Sequence, residues 1–343
     1  MEHRTLGRTG VSVSKLCLGA MMFGAWGNPD HDDSIRIVHA ALDAGINFID
    51  TADVYSAGES EEIVGKALKD RRDQVVLATK AYMPVGEDDD PNHRGTSRRW
   101  LVEEVENSLR RLGTDYIDLY QVHRPSPETA IEETLGALTD LVRAGKIRYF
   151  GHSTYPASLI VEAQWIARDR HLMRPHSEQP PYSMLTRGIE NEVLPVCRQY
   201  GLGVLSWSPL QGGWLSGRYR KDAEIVDPRS SARRRLKARY DLSLPANQRK
   251  LDAADALAQL ADEAGVSLIE LAIAFVVNHP GVTSAIIGPR TMEQLESQLP
   301  AADRVLTADI LDRVDEIVPP GVNLNPADGG WASPALEPAA RRR

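Results

Sequence analysis

The stretch IDLYQVHRPSPETAIEETLGALTDLVRAGKIRYFGHS, residues 117–153, holds two apolar runs separated by one amphipathic segment. The runs at 117–123 and 147–153 have the length and the branched and aromatic content of buried strands. Between them, residues 130–144 place apolar side chains at helical spacing, and the segment closes at Gly145. This order predicts a strand–helix–strand unit with two parallel strands.

The same alternation continues in both directions along the chain. Apolar runs at 16–20, 47–52 and 75–80 come before this unit, and runs at 176–183, 203–209 and 283–288 come after it. Amphipathic helical stretches follow these runs, which makes eight strand–helix units. Eight units close a barrel, whereas a doubly wound sheet usually has fewer strands, and no G-x-G-x-x-G follows the first run. We therefore predict an α/β fold, a (β/α)8 TIM barrel.

Three segments fall outside the repeat. We predict an N-terminal β-hairpin, a long loop at 212–244 after the seventh strand, and a tail at 319–343 rich in Pro, Ala and Gly. Residues 1–318 are predicted to form one barrel domain, with the tail wrapped over it or partly mobile. The long loop is a candidate ligand-binding segment because six basic residues lie in its stretch 229–239, namely Arg229, Arg233, Arg234, Arg235, Lys237 and Arg239.

The composition excludes several classes of protein. The chain has 343 residues with 40 basic and 48 acidic side chains, a net charge of −8, which argues against a nucleic-acid partner. No apolar run is long enough to span a bilayer, and the N-terminus lacks the apolar segment of a signal peptide. The two cysteines, Cys17 and Cys197, cannot form a disulfide framework or a zinc site. We expect a cytoplasmic protein with no membrane partner and no metal.

Acid–base side chains follow three consecutive predicted strands. Asp50 and Tyr55 follow the second strand, Lys80 ends the third and His123 ends the fourth. Each alone could have an ordinary role, such as a loop cap or a solvated strand end. In a βα barrel, however, the carboxyl ends of the strands meet at one rim, where active sites form. The four residues are therefore predicted to form one site.

The residue types in this cluster suit proton transfer to a carbonyl oxygen. A tyrosine pKa near 10 is too high for efficient exchange at neutral pH, and a neighbouring ammonium group lowers it. We therefore expect Lys80 to lower the pKa of Tyr55, Asp50 to keep Lys80 charged, and His123 to orient the carbonyl. This is half of a carbonyl reduction, and the hydride must come from a cofactor.

Several spaced motifs resemble those of the aldo-keto reductase family. They are FIDTADVY at 48–55, GESE at 58–61, ATK at 78–80, DLYQVH at 118–123 and IIGPR at 286–290, in the family's order over nearly the whole chain. The resemblance implies that Asp50, Tyr55, Lys80 and His123 form the family's catalytic tetrad. It also implies an NADPH-dependent (NADP+-linked) oxidoreductase that converts a small-molecule aldehyde or ketone to an alcohol.

The resemblance further places the cofactor across the mouth of the barrel. Thr154 and Gln298 stand where the family usually has Asn, and Trp207 stands where it usually has Tyr. Arg290 favours NADPH over NADH, since a guanidinium matches a phosphate. The resemblance places the nicotinamide beside Ser153, Thr154, Gln179 and Trp207, and the pyrophosphate beside Leu210, Gly212 and Gly213. It places the 2′-phosphate end beside Gly288, Pro289 and Arg290, with Gln294 and Gln298 beyond, and Asp50, Ser208 and Pro209 complete the implied cofactor site.

The substrate pocket is less well defined by the sequence. Trp26 and Tyr82 are predicted to line it together with His123, and Trp214 and His152 are weaker candidates. The physiological substrate and the oligomeric state stay open.

Three alternatives also stay open. Residues 212–219 and 288–295 look similar to actinobacterial-type aldo/keto and deoxysugar-pathway reductases, which act on nucleotide-linked ketosugars or enoyl sugars. Because the family contains potassium-channel β subunits, the chain could instead be an NADPH-binding regulatory subunit of a channel. A Schiff-base lyase acting through Lys80 is the third alternative.

Overall fold

The N-terminus forms a hairpin that closes one end of a barrel. The computed structural model describes residues 1–221 and 236–342. Strands β1 (His3–Thr5) and β2 (Ser12–Ser14) pair antiparallel. Leu6 and Val13 of this hairpin are buried in one cluster with side chains of the barrel interior. The hairpin therefore plugs the end of the barrel where the strands begin.

Eight parallel strands form the closed barrel. Each strand pairs with its neighbours in chain order, and the last pairs with the first. The barrel strands are β3 (Leu16–Gly19), β4 (Phe48–Asp50), β5 (Val76–Ala81), β6 (Ile117–Val122), β7 (Ile147–Ser153), β8 (Ser177–Gln179), β9 (Gly203–Ser206) and β10 (Ser284–Ile287). The predicted (β/α)8 TIM barrel is confirmed.

Helices surround the barrel. Those of the described residues are α1 (His31–Asp43), α2 (Glu59–Leu68), α3 (Arg98–Leu112), α4 (Ile131–Arg143), α5 (Ala157–Asp169), α6 (Val193–Tyr200), α7 (Lys237–Tyr240), α8 (Pro245–Glu263), α9 (Leu268–Asn278), α10 (Met292–Gln298), α11 (Ala308–Ile317) and α12 (Pro338–Arg341). None of these helices combines the length and the apolar character that a membrane span requires.

Side chains alternate between two separate cores. Phe48, Ala78 and Leu119 point into the barrel and cluster there, whereas Ile49 and Leu77 pack against the helices. Because successive strand residues face opposite sides, a residue two positions beyond an inward one also points inward. This period of two aims the polar residues at the strand ends into the mouth of the barrel.

One predicted strand is much shorter in the structure, and one long helix begins with a proline. The strand predicted at 176–183 is only Ser177–Gln179, since Pro180 and Pro181 have no N–H to donate to a ladder. Helix α8 begins at Pro245, a residue well suited to the first helical turn.

The C-terminal tail packs onto the barrel over its first part. Asn325 and Asp328 are buried, and Asn323 accepts a hydrogen bond from the Gly188 amide at 2.7 Å. Beyond Pro334 the chain is exposed, and the side chain of Leu336 is 68% accessible. The tail is thus a strap along residues 319–330, followed by an exposed end.

Candidate active site

The four acid–base residues predicted from the sequence meet at the C-terminal rim of the barrel. Lys80 Nζ donates to Asp50 Oδ2 at 2.6 Å and lies 3.3 Å from the Tyr55 hydroxyl. The His123 ring stands edge-on to the Tyr55 ring, with 5.7 Å between the two centroids. The structure therefore places one phenol beside an ammonium group and an imidazole.

Asp50 accepts three hydrogen bonds from three other strands. Besides Lys80, its Oδ1 accepts from Gln121 Nε2 at 3.1 Å and from Gln179 Nε2 at 2.8 Å. Gln121 was not among the predicted site residues. Its position midway between Leu119 and His123, on the inward side of β6, is the signal that could have found it.

The expected pKa of Tyr55 is corrected by the structure. Burial raises the pKa of Tyr55, and although Lys80 pulls it down, the net pKa lies above the ordinary value near 10. Burial also acts to lower the pKa of Lys80, but Asp50 and Tyr55 outweigh it, so that pKa is raised. Lys80 is therefore charged and Tyr55 protonated at neutral pH, so the phenol has a proton that it can donate.

His123 is neutral in this setting. Burial, followed by the charges of Lys80 and Arg124, lowers the pKa of His123 well below its usual range. Its Nδ1 is buried and has no hydrogen-bond partner among residues 1–221 and 236–342. A neutral imidazole next to Tyr55 can donate one N–H to a carbonyl oxygen.

Strained backbone marks the loops around this cluster. Five non-glycine residues of the rim have positive φ, a conformation that L-residues rarely adopt and that concentrates at functional sites. They are Ser56, Ala57, Thr154, Ser208 and Gln211.

The predicted nicotinamide contacts lie together beside the tetrad. Ser153 and Gln179 are register partners on β7 and β8, and the Ser153 hydroxyl donates to the Gln179 carbonyl at 2.8 Å. Thr154 has φ of 58°, and its hydroxyl donates to the Ser153 carbonyl at 2.7 Å. The threonine hydroxyl is thus bound to the backbone, whereas the family's usual Asn would present an amide.

The strap forms part of the same wall. A Cβ added at Gly330 would lie 2.7 Å from the Trp207 ring and 2.9 Å from Thr154 Cγ2, so only glycine allows this approach. This contact was not predicted from the sequence, because the tail follows all eight barrel units.

Residues after β9 form the next part of the rim. Ser208 and Leu210 are half-buried, Pro209 is buried, and Gly213 follows a positive-φ glycine. That glycine, Gly212, has φ of 62°, and a Cβ there would lie 2.1 Å from the Tyr240 hydroxyl. The predicted pyrophosphate contacts therefore follow closely along the chain, and the hydroxyl of Tyr240 in α7 lies against one of them, Gly212.

A buried ion cluster holds the strap against α7 and α8. Lys250 Nζ lies 2.8 Å from Asp328 Oδ2, and Arg239 Nε lies 2.6 Å from Asp328 Oδ1. Lys250 also sits over the ring of Trp214, 4.4 Å from its centroid. One carboxylate of the strap thus ties together the segments that border Trp207 and Gly212.

Of the predicted 2′-phosphate contacts, Arg290 lines a pocket at the edge of the barrel. This pocket of about 260 Å³ is also bordered by Asn28 and Asp33, and Gly288 and Pro289 directly precede Arg290 in the chain. The Gln294 side chain accepts from the Arg290 amide at 2.8 Å and so shapes the loop.

Two of the five suggested pocket residues lie elsewhere. The Trp26 ring is 6.0 Å from that of Tyr55, and Tyr82 is half-buried after β5, as expected for pocket walls. Trp214 is instead fully buried against Tyr219, and His152 points out of the barrel to Glu178.

Of the six basic residues singled out in the long loop, Lys237 and Arg239 are described, and Arg229, Arg233, Arg234 and Arg235 lie outside the described residues.

Comparison with known proteins agrees with this architecture. Residues 15–319 match the model of the aldo/keto reductase family. The chain is 40% identical to "Uncharacterized oxidoreductase YrpG" of Bacillus subtilis (strain 168), over 96% of this chain and 100% of that protein. It is 38% identical to "Aldo-keto reductase YhdN" of the same organism, over 87% of each chain.

A further relative is named as a channel subunit and not as an oxidoreductase. The chain is 36% identical to "Probable voltage-gated potassium channel subunit beta" of Oryza sativa subsp. japonica, over 93% of this chain and 97% of that protein. The family match covers most of the chain and the relatives align over nearly their full lengths. The chain therefore belongs to the aldo/keto reductase family.

Proposed function

We propose that this protein is an NADPH-dependent reductase of aldehydes or ketones, with Tyr55 as the proton donor. One observation carries the proposal: Lys80 Nζ lies between Asp50 Oδ2 at 2.6 Å and the Tyr55 hydroxyl at 3.3 Å, at the mouth of the barrel. An ammonium group held there stabilises the phenolate that remains once the proton has left.

Each residue of the cluster has a separate role in the proposal. Tyr55 donates its proton to the substrate oxygen, and Lys80 compensates the negative charge that develops on the phenol. Neutral His123 donates a hydrogen bond that orients the carbonyl. Asp50, fixed by Gln121 and Gln179, keeps Lys80 in place and charged. A bound nicotinamide supplies the hydride, which protein side chains cannot provide.

The residues around the rim fit such a cofactor. The buried Gln298 Oε1 has no partner among the described residues and can accept from an adenine amino group. Gly288 has open space where a Cβ would stand, so the chain leaves room there for a ligand. Arg290 borders the pocket at this end, which supports the choice of NADPH over NADH.

The test is NADPH consumption against a panel of aldehydes, ketones and nucleotide-linked ketosugars, ranked by kcat/KM. Tyr55→Phe removes the proton donor and keeps the ring, so turnover should fall by about 10²- to 10⁴-fold. Tyr116→Phe is the matched control, because Tyr116 precedes β6 and packs between Arg72 and Arg148, away from the rim. Full activity of Tyr55→Phe would refute the mechanism.

The same panel separates the alternatives. A strong preference for nucleotide-linked ketosugars would favour the sugar reductase. The relative named as a potassium channel subunit keeps the regulatory function as a second candidate. NADPH binding without consumption on any carbonyl compound would favour that candidate over the reductase.

A further inference from the structure

Arg124 is a partly buried cation at the mouth of the barrel, and the described part of the chain gives it no acidic partner. It directly follows His123, and its Nη1 donates to the His123 carbonyl at 2.5 Å. No carboxylate of residues 1–221 or 236–342 lies within ion-pair distance of it. Other partly buried arginines do have such partners: Arg72 with Asp118, Arg111 with Glu61, Arg187 with Glu190 and Arg239 with Asp328.

A partly buried guanidinium lowers the stability of the fold unless a ligand supplies a negative charge to pair with it. A guanidinium has five N–H donors and stays charged at neutral pH, and burial of an unpaired charge is unfavourable. Burial accordingly lowers the pKa of Arg124, against the attraction of Tyr55, Glu178 and Tyr82. Glu178 is already engaged, because its carboxylate pairs with His152 and accepts from the Tyr155 amide at 3.2 Å.

The surroundings of Arg124 belong to the predicted substrate pocket. Its charge acts on the phenols of Tyr55 and Tyr82 and on the imidazole of His123. Trp26, with its ring 6.0 Å from that of Tyr55, supplies an apolar wall. A molecule whose carbonyl oxygen reaches Tyr55 and His123 therefore lies near the positive charge of Arg124, whose guanidinium is bonded to the His123 carbonyl.

We propose that Arg124 binds an anionic group of the substrate, so that the enzyme prefers carbonyl compounds that carry a carboxylate or a phosphate. This proposal rests on the proposed reductase function and adds the class of substrate to it. The reduction itself is unchanged: the carbonyl gains one hydride and the proton of Tyr55. Arg124 contributes only to binding and orientation.

A matched pair of aldehydes tests the proposal. 4-Carboxybenzaldehyde and 4-carbamoylbenzaldehyde have nearly the same shape and differ in charge. For the wild-type protein with NADPH, kcat/KM should favour the carboxylated aldehyde by about tenfold or more, as expected for a charge-assisted hydrogen bond. Arg124→Gln should reduce that ratio to near one, mainly through KM for the charged aldehyde.

Two further variants show whether the preference comes from the charge at this position. Arg94→Gln removes the same charge from an exposed residue of the loop after β5, and it should leave the ratio at the wild-type value. Arg124→Lys keeps a charge and should retain part of the preference. If Arg124→Gln lowers kcat/KM for both aldehydes equally, Arg124 acts only on His123 or on the fold, and the proposal is wrong.

Further measurements identify the anion and separate the proposed anion site at Arg124 from the proposed reductase function. 4-Formylphenyl phosphate carries a phosphate in place of the carboxylate. Whichever anionic aldehyde has the larger kcat/KM relative to 4-carbamoylbenzaldehyde shows which anion the site accepts better. If the wild-type protein reduces none of these aldehydes, the proposed reductase function fails. Calorimetric titration with benzoate and benzamide then tests Arg124 without turnover. Benzoate binding that Arg124→Gln abolishes and Arg94→Gln keeps supports the site, and equal affinity for both compounds overturns it.

Discussion

Lys80 and Asp50 form an ion pair that is almost completely withdrawn from solvent, with 2.6 Å between Nζ and Oδ2. The register of the barrel explains the pair. Asp50 of β4 lies opposite Ala78 of β5, so Lys80, two residues further along, points to the same interior side. Both charges are then desolvated, and each depends on the other for compensation.

Loss of Lys80 should harm stability and turnover, and the two effects should be separable. Lys80→Met leaves Asp50 as a buried charge with amide donors only, so the free energy of unfolding should fall by about 3–5 kcal/mol. Adding Asp50→Asn should recover most of that loss, because the unpaired charge is gone. Turnover should stay low in both variants. Thermal unfolding and NADPH consumption measure the two effects, and recovered turnover in the double variant would contradict the role of Lys80.

The pH profile should reflect a phenol that stays protonated. The pKa of Tyr55 is raised and the pKa of His123 lies well below its usual range, so neither group titrates between pH 7 and pH 9. Since reduction consumes the phenol proton, its kcat should be flat over this interval. Alcohol oxidation needs the phenolate and should increase with pH. Measurement of kcat in both directions checks this, and a loss of reduction centred below pH 8 would show a lowered Tyr55 pKa.

Cofactor preference should depend on Arg290. Arg290→Ala should weaken NADPH binding by about ten- to a hundred-fold and leave NADH nearly unaffected, because only NADPH carries the 2′-phosphate. Fluorescence titration with each cofactor measures the affinities. Arg304→Ala is a suitable control, since Arg304 pairs with Glu270 at 3.1 Å. Equal losses for both cofactors would show that Arg290 only supports the loop.

Replacement of Thr154 by Asn should increase both the thermal stability of the protein and its affinity for NADPH. A β-branched residue at φ of 58° is strained by about 1–2 kcal/mol, whereas Asn tolerates this conformation. Thr154→Asn should therefore raise the unfolding temperature and tighten NADPH binding through the added amide. Thr154→Ala lacks that amide and serves as the control. Weaker binding by the Asn variant than by the Ala variant would argue against a carboxamide contact.

The strap should be coupled to cofactor binding through Asp328. Asp328→Asn leaves Lys250 and Arg239 without their shared carboxylate, at an expected cost of about 3–5 kcal/mol of stability. NADPH affinity should also fall, because Gly330 then no longer holds Trp207 and Thr154 in place. Thermal unfolding with and without NADPH measures both effects.

A surface ion pair on helix α8 provides the control for Asp328. Asp252 pairs with Lys221 at 2.8 Å, and both side chains are at least half exposed, so Asp252→Asn should cost under about 1 kcal/mol. Adding Lys250→Met to Asp328→Asn should restore part of the lost stability. If the NADPH affinity of Asp328→Asn is unchanged, the strap is a structural element only.

The barrel and the positions of its acid–base residues could be predicted from local pattern. Apolar runs and amphipathic helices specify strand–helix units, and the count of eight specifies closure. The period of two then places Asp50, Lys80 and His123 inward at the same rim, because each lies two or four positions beyond an inward apolar residue. These features depend on neighbours in the sequence, so they were visible before the structure was known.

What only the tertiary structure decided depends on residues far apart in the chain. Gln121 and Gln179 meet Asp50 across the barrel interior, and Gly330 reaches Trp207 from a tail that follows every repeat. The direction of the Tyr55 pKa shift also required the fold: Lys80 was expected to dominate, but burial outweighs it. The desolvation of a group depends on all the atoms packed around it. In the same way, the absence of an acidic partner for Arg124 among the described residues depends on every segment that surrounds this side chain. Neither property can be read from a local pattern in the sequence.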